Sequence, residues 1–221
     1  MIKAIIVDMD GTITNFNLDF LNTRRRVLKE LDRMKLRAPG MTDQLSLYFI
    51  LDKLKNQTDP SAFRELRKRI YGMLEEMELN AATDVTLYPG AVDTLRRLRG
   101  RSIRIGLVTN NGSKGTELTL SRHRLNSLFD TVVTRDDCED MKPAAEPVEK
   151  VLAALKAAPN EAVLIGDGVM DIRSARAAGV RSVAVATGPF KSELLLKTEP
   201  DYVVGSINDL PTLIELLNTA E

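Results

Sequence analysis

The first strand of this chain constrains its fold more than any other feature. Residues 4–7 form an unbroken apolar run with β-branched side chains, which is typical of a strand buried on both faces in the middle of a parallel sheet. Asp8, Asp10, Gly11 and Thr12 follow this run. Residues two apart in a strand point the same way, and open α/β sheets bind ligands beyond the carboxyl ends of their strands. We therefore expect both carboxylates to face one site.

Two carboxylates held close together repel each other, so the pair needs either a cation or a shared proton. Oxygen ligands suit a hard divalent cation such as Mg²⁺, and this predicts a magnesium site at Asp8 and Asp10. An exposed pair of aspartates that caps a turn is the alternative for a motif this short. The rest of the chain decides between these two interpretations.

A helical insertion is expected directly after the first strand. Most of segment 15–84 has helical periodicity and no clear strand, which predicts three amphipathic helices. The apolar face of the first helix is marked by Leu21, Leu28, Leu31 and Leu36. Thr42 is the expected N-cap of the second helix, whereas Asp59 and Pro60 are expected to cap and begin the third. We predict a small helical bundle at residues 15–84, inserted after the first strand.

Strands and helices alternate along the remainder of the chain. Apolar runs predict strands at residues 103–108, 132–133, 162–165 and 182–186, with a short edge strand at 202–204. Such alternation implies right-handed crossovers and a parallel, doubly wound, Rossmann-like α/β sheet. The predicted α/β domain therefore comprises residues 1–14 and 85–221, interrupted by the helical bundle.

Further polar side chains lie at or near the ends of these predicted strands. Thr109 follows the second strand, and Asp167 follows the fourth, with Asp171 four residues later. Lys142 lies just before the helix that leads to the fourth strand. Neighbouring strand ends of a doubly wound sheet converge on one crevice, so we expect these groups to meet Asp8 there. Such a set suits phosphoryl transfer, in which catalysis is mostly positioning and charge stabilisation.

Taken in order, these motifs resemble those of the haloacid dehalogenase-like superfamily, and in particular its phosphoglycolate phosphatase-like members with a helical cap. The four motifs are Asp8-Met-Asp10-Gly11-Thr12, Thr109, Lys142-Pro143, and Gly166-Asp167-Gly168-Val169-Met170-Asp171. The resemblance covers essentially the whole chain. It departs at Thr14-Asn15-Phe16, where many relatives have an acidic residue and a small hydroxyl residue.

The resemblance implies the main chemical roles. Asp8 would be the nucleophile that forms an aspartyl-phosphate, and Asp10 would be general acid to the leaving group and then general base to water. Magnesium would be bound by Asp8, the backbone carbonyl of Asp10, and Asp167. Asp171 would lie behind these ligands or reach the metal through water.

The resemblance also implies which residues hold the phosphate. Thr109 and the amide of Asn110 would bind phosphoryl oxygens, together with Gly11 and Thr12 of the first motif. Lys142 would hold the nucleophile and the transferring group. The helical bundle at residues 15–84 would be the cap domain, and residues 1–14 and 85–221 would form the catalytic core. The cap would close over the site and select the leaving group.

We therefore expect a magnesium-dependent phosphatase that acts on a small phosphorylated metabolite, such as phosphoglycolate or a sugar phosphate. The carboxylate at Asp10 indicates phosphate chemistry, because dehalogenases of the superfamily do not need an acid there. A phosphomutase of the β-phosphoglucomutase type is one alternative. A phospho-accepting regulatory module without turnover is another, although such modules carry their acceptor on a later strand and lack the helical insertion.

Composition narrows the partners and the compartment. Lys+Arg and Asp+Glu number 31 each, so the zero net charge does not suggest a general nucleic-acid binder. No apolar run reaches the length of a membrane span, and the early first strand leaves no room for a signal peptide. Cys138 is the only cysteine, which favours a reducing cytoplasm. The oligomeric state is left open.

Basic residues are concentrated in the predicted cap, at positions 24–26, 64 and 67–69. One interpretation is an arginine that binds a substrate carboxylate or a second phosphate. The other, which we favour, is a set of solvated helix faces with ion pairs one turn apart. His123 is not expected to be a ligand, and Cys138, among acidic residues that disfavour a thiolate, is not expected to be a nucleophile.

Overall fold

The computed structural model describes residues 1–188 and 192–219, without the side chains of Ser192 and Leu194. The predicted catalytic core also includes residues 189–191 and 220–221, which lie outside the described residues. No helix in the described part of the chain combines the length and the apolar character needed to cross a membrane.

The strands form one parallel sheet, with the first strand in its interior. They are β1 (Ala4–Val7), β2 (Arg104–Val108), β3 (Thr131–Val133), β4 (Ala162–Gly166), β5 (Arg181–Val185) and β6 (Tyr202–Val204). Their order is β3-β2-β1-β4-β5-β6, and every neighbouring pair is parallel. The order reverses at β1, which is the position where doubly wound sheets bind ligands. The predicted doubly wound α/β fold is confirmed.

Helices cover both faces of the sheet. In chain order, the helices of the described residues are α1 (Phe20–Arg33), α2 (Leu47–Lys55) and α3 (Pro60–Ala81), which belong to the helical insertion, and α4 (Ala91–Gly100), α5 (Ser113–Arg122), α6 (Glu146–Leu155), α7 (Val169–Ala177), α8 (Ser192–Leu196) and α9 (Leu210–Thr219). Buried residues of α4, α5 and α9 form the core on one face. Buried residues of α6 and α7 form the core on the other.

Alternate residues of β1 reach these two cores. Ile5 and Val7 pack with α4 and α9, whereas Ala4 and Ile6 pack with α6 and α7. All four side chains are fully buried. This double burial explains why the strand has no polar residue until Asp8, where it reaches the edge of the core.

The chain divides into two compact units, one of Met1–Asn17 with Val85–Glu221 and one of Leu18–Asp84. The predicted boundaries lay after residues 14 and 84. The segment through which the chain leaves the first unit and the segment through which it returns run side by side. The backbone N–H of Asn15 donates to the carbonyl of Thr86 at 2.8 Å, and the N–H of Thr86 donates to Asn15 Oδ1 at 2.8 Å.

The unit of residues 18–84 consists of α1, α2 and α3, with α1 and α2 each packed against α3. Asp59 caps α3 as expected, because its Oδ1 accepts the N–H groups of Ser61 and Ala62, each at 3.0 Å. Pro60 is the first residue of that helix.

Two predictions about this unit are wrong. Ser46, not Thr42, caps α2, and its hydroxyl accepts the N–H of Phe49 at 3.5 Å. Thr42 instead lies in a preceding turn, where its carbonyl accepts the N–H of Leu45 at 3.1 Å. Leu21 is 39% exposed and does not belong to the buried face of α1, and Leu36 lies beyond the helix, which ends at Arg33.

Candidate active site

Asp8 is placed by the central strand and held by two side chains. Its backbone N–H donates to the carbonyl of Ile165 in β4 at 3.0 Å, so the strand pairing continues through this residue. Lys142 Nζ donates to Asp8 Oδ1 at 2.7 Å, and the Thr12 hydroxyl donates to Oδ2 at 3.4 Å. The Asp8 side chain is therefore buried and fixed at the carboxyl end of β1.

Lys142 supplies a buried positive charge to this end of the sheet. Its Nζ donates to Asp8 Oδ1 at 2.7 Å, to Asp171 Oδ1 at 2.6 Å and to the Val108 carbonyl at 3.3 Å. These contacts occupy the three donors of an ammonium group. Burial alone would lower the pKa of Lys142, but the charges of Asp171 and Asp8 outweigh burial and raise it. The side chain is charged at neutral pH.

Asn110 fixes the backbone that carries Lys142, which lies in neither a helix nor a strand. Asn110 Nδ2 donates to the carbonyl of Lys142, and Asn110 Oδ1 accepts the N–H of Lys142, each at 3.0 Å. Such a reciprocal pair restrains both the position and the rotation of the peptide. The side chain of Asn110 therefore binds the Lys142 loop, while phosphate binding by its backbone amide stays a prediction.

Three buried carboxylates form the acidic cluster of the site. Ligand oxygens of Asp8, Asp167 and Asp171 all lie within 4.8 Å of one another. Asp171 is in the first turn of α7, where its Oδ2 accepts the N–H of Gly168 at 3.0 Å. Asp167 Oδ2 is buried and has no hydrogen-bond partner among the described residues. A Cβ at Gly11 would lie 2.3 Å from this oxygen, so a glycine is required there.

The acidic cluster carries more negative charge than the protein balances. Burial raises the pKa of Asp167, and the charges of Asp8 and Asp171 raise it further. Burial also raises the pKa of Asp8, and Lys142 offsets only part of this effect. If all three carboxyl groups are ionised, the single ammonium of Lys142 leaves two negative charges uncompensated. A divalent cation would balance them, and the all-oxygen donor set is one that hard cations prefer.

Asp10 lies outside the acidic cluster and has its own partners. Asn111 Nδ2 donates to Asp10 Oδ2 at 2.6 Å, and the Thr14 hydroxyl donates to Oδ1 at 3.2 Å. Neither partner was predicted from the sequence. The signal for Asn111 was its position two residues after Thr109, at the same strand end.

Thr109 and the turn after Asp10 complete the site. The N–H of Thr109 donates to the carbonyl of Val133 at 3.0 Å, and its hydroxyl oxygen accepts the N–H of Asn111 at 3.1 Å. Gly11, at φ 89°, donates its N–H to the carbonyl of Thr14 at 2.7 Å. The N–H of Thr12 donates to the backbone carbonyl of Met9 at 3.3 Å. The predicted phosphate-binding roles of Gly11 and Thr12 stay predictions.

Several basic residues of the helical unit form exposed ion pairs within that unit. Arg25 Nε lies 2.8 Å from Asp43, and Arg69 Nη1 lies 3.3 Å from Glu30. Their exposure agrees with the interpretation of solvated helix faces, but these pairs join distant segments and are not spaced one turn apart as expected. Elsewhere, burial raises the pKa of Cys138 to about 11, so its thiol is protonated at neutral pH and is a poor nucleophile.

Comparison with known proteins relates this site to a large family. The model of the haloacid dehalogenase-like hydrolase family matches residues 5–185. Pyrophosphatase PpaX of Bacillus mycoides is 30% identical to this chain, and the match covers 98% of the chain and 99% of the relative. Pyrophosphatase PpaX of Oceanobacillus iheyensis is 27% identical, with 96% and 97% covered.

The fold is shared with solved structures. The crystal structure of a hydrolase from Pseudomonas syringae superposes on this chain with a TM-score of 0.70 at 20% sequence identity. The superposition covers 96% of this chain and 98% of that one. At this identity the likeness establishes a common fold.

Proposed function

Because this chain belongs to the haloacid dehalogenase-like hydrolase family, we propose that it is a magnesium-dependent phosphatase that hydrolyses a small phosphorylated metabolite through a phosphoryl intermediate on Asp8. The observation that carries this proposal is the buried contact of Lys142 Nζ with Asp8 Oδ1 at 2.7 Å, beside the unpartnered Asp167 Oδ2. A carboxylate held this way is oriented for attack and lies next to a place for a cation.

The donor set fits Mg²⁺. Asp8 and Asp167, with the backbone carbonyl of Asp10, would hold the ion, and Asp171 would lie beside them. The bound cation supplies the positive charge that balances the carboxylates and the oxygens of the phosphate. The unpartnered Asp167 Oδ2, with space preserved by Gly11, supports this assignment.

The first chemical step is transfer of the phosphoryl group to the protein. A carboxylate oxygen of Asp8 forms a bond to phosphorus while the bond from phosphorus to the leaving oxygen breaks. Asp10, in its protonated form, gives its proton to that leaving oxygen. The Thr109 hydroxyl accepts the N–H of Asn111, so its own proton is available for a phosphoryl oxygen. Lys142 contributes positive charge and keeps Asp8 in place.

The second step regenerates the enzyme. Water attacks the phosphorus of phospho-Asp8, and Asp10 accepts a proton from that water. The bond between phosphorus and Asp8 then breaks, which releases inorganic phosphate and restores the carboxylate. Asp10 thus returns to the protonated state that the next cycle requires.

The substrate class is a small phosphorylated metabolite. Phosphoglycolate and sugar phosphates are candidates, and pyrophosphate is a further one because the relatives from Bacillus mycoides and Oceanobacillus iheyensis are named pyrophosphatases. The single cysteine, Cys138, supports a cytoplasmic location for this activity.

Release of inorganic phosphate from a substrate panel tests this proposal. The panel comprises phosphoglycolate, pyrophosphate, sugar phosphates and nucleotides, each assayed with Mg²⁺ and with a chelator. We expect Mg²⁺-dependent release, with one compound at least about tenfold ahead in kcat/KM. Release that is unaffected by the chelator, or no release from any compound, would contradict it. Product analysis with each sugar phosphate separates hydrolysis from a mutase reaction.

A further inference from the structure

The side chain of Asn111 is aimed at the carboxylate of Asp10. Its Nδ2 lies 2.6 Å from Asp10 Oδ2, and only 5% of the residue is exposed. The backbone of Asn111 is fixed on both sides of this side chain. Its N–H donates to the Thr109 hydroxyl at 3.1 Å, and its carbonyl accepts the N–H of Arg135 at 2.9 Å. The amide donor is therefore held in one place by the main chain.

Asn111 and Thr14 both donate to the Asp10 carboxylate, and the hydrogen bond from Asn111 is the shorter one. The Thr14 hydroxyl lies 3.2 Å from Asp10 Oδ1 and also 3.2 Å from the carbonyl of Met9. A hydroxyl has one proton to donate, so Thr14 divides it between these acceptors. Asn111 is thus the closer of these two donors, and its amide proton is not divided in this way.

We propose that Asn111 is a positioning residue, which orients the Asp10 carboxyl group toward the oxygen of the leaving group. This inference rests on the proposed function, in which the proton of Asp10 moves to that oxygen while its bond to phosphorus breaks. The neighbouring asparagine has a different task, because Asn110 binds the backbone of Lys142. Two adjacent residues of the same type therefore support different parts of the reaction.

The role of Asn111 has a signature in the choice of substrate. A poor leaving group such as phenolate needs a proton when its bond to phosphorus breaks, whereas p-nitrophenolate leaves readily without one. Loss of the orienting hydrogen bond should therefore slow phenyl phosphate much more than p-nitrophenyl phosphate. A structural defect would slow both esters alike, because both measure the same fraction of active enzyme.

The experiment measures kcat/KM for the two esters with Mg²⁺-loaded wild type and N111A. We expect N111A to lose about 10- to 100-fold with phenyl phosphate and less than about threefold with p-nitrophenyl phosphate. N111L, which keeps a side chain of similar size but has no hydrogen-bond donor, should show the same change in the ratio. It replaces N111A as the decisive variant if N111A does not fold.

N110A is the matched control on the same loop. It loosens Lys142, whose charge acts on the phosphoryl group common to both esters, so both should slow by a similar factor. Equal losses for the two esters in N111A and N111L, or no loss, would overturn the role of Asn111 alone. Failure of the wild type to hydrolyse either ester would instead count against the proposed function.

Discussion

Asp167 has a buried carboxyl oxygen that the described residues leave without a hydrogen bond. Its side chain is buried, its Oδ2 lacks a partner among the described residues, and burial together with Asp8 and Asp171 raises its pKa. A carboxyl group whose pKa is raised on folding destabilises the folded state when the pH is above its unfolded value. At neutral pH Asp167 therefore lowers the free energy of unfolding. A bound cation, or substitution of Asp167 by a neutral residue, would remove this loss.

We predict that Mg²⁺ raises the midpoint of thermal unfolding of the wild type and has little effect on D167N. A cation at about 100 times its dissociation constant adds about 2.7 kcal/mol to the free energy of unfolding. Without the ion, D167N should unfold at a higher temperature than the wild type at about pH 8, because the amide is neutral without taking up a proton on folding. Circular dichroism with Mg²⁺ or a chelator measures both effects.

The control for this prediction is D93N, which makes the same chemical change at an exposed residue of α4. D93N should respond to Mg²⁺ as the wild type does. An equal gain from Mg²⁺ in D167N would mean that the ion does not bind at Asp167.

At the residue scale, the sequence predicts which groups meet but not how they bind one another. Spacing and resemblance were sufficient to select Asp8, Lys142 and Asp167, which the structure brings to one end of the sheet. The contacts of Asn110 and Asn111 depend on the path of the loops, and hydrophobic periodicity carries no information about such loops. The two adjacent side chains point in different directions, so Asn110 binds the backbone of Lys142 whereas Asn111 binds Asp10.

Among the elements, α6 holds the loop that leads to Lys142. Glu146 in its first turn accepts the N–H groups of Glu139, at 3.1 Å, and Asp140, at 3.0 Å, and pairs with Lys150 at 2.8 Å. Burial alone would raise the pKa of Glu146, but hydrogen bonds from Lys150, Asp140 and Glu139 outweigh it and lower the pKa to about 2. The charged form of Glu146 therefore stabilises the folded state.

We predict that E146Q lowers the free energy of unfolding by about 1–2 kcal/mol at neutral pH, a value reduced for the partial exposure of the side chain. A lowered pKa gives stability that is fully present above the ordinary value of 4.5 and is lost as the pH falls through about 2. The difference between wild type and E146Q should shrink over this window. Urea denaturation at a series of pH values measures it.

E149Q is the matched control for this prediction, because Glu149 is an exposed acidic residue of the same first turn. It should change the free energy of unfolding by less than about 0.5 kcal/mol at every pH. A deficit of E146Q that stays constant down to pH values near 2 would show that its charge does not stabilise the loop.

The start of each element was predictable where one residue type dominates the choice. Asp59 and Pro60 mark the beginning of α3 in the sequence as in the structure. The start of α2 was not predictable, because Thr42 and Ser46 are both good caps and the intervening turn gives no periodic signal. The five-residue helix α8 is too short to show a 3.6-residue period, and no helix was predicted there.

For the whole molecule, the interior position of β1 matters both for the stability of the fold and for the assembly of the active site around Asp8. Thr109 and Asp167 directly follow its neighbours β2 and β4, so the same pairing that buries the strand brings residues from distant parts of the chain to Asp8. The order of the motifs predicts this arrangement. The substrate depends on side-chain placement that the motifs do not specify.

We predict that Ile5→Ala, in fully buried β1, lowers the free energy of unfolding by about 2–5 kcal/mol, because the cavity is enclosed by the packed core on that face of the sheet. Val203→Ala, in the edge strand β6, should change it by less than about 0.5 kcal/mol, since Val203 is 51% exposed. Urea denaturation of both variants provides the comparison. Equal losses would contradict the assignment of β1 to the centre of the core.

The most direct test of the mechanism is phosphate release by D8N, assayed with Mg²⁺ and the best substrate of the panel. The substitution keeps the size of the side chain but removes the nucleophilic carboxylate. We predict that turnover falls by at least about a thousandfold, while the circular dichroism spectrum stays that of the folded protein. Hydrolysis by folded D8N at a rate near that of the wild type would contradict a phosphoryl intermediate on Asp8.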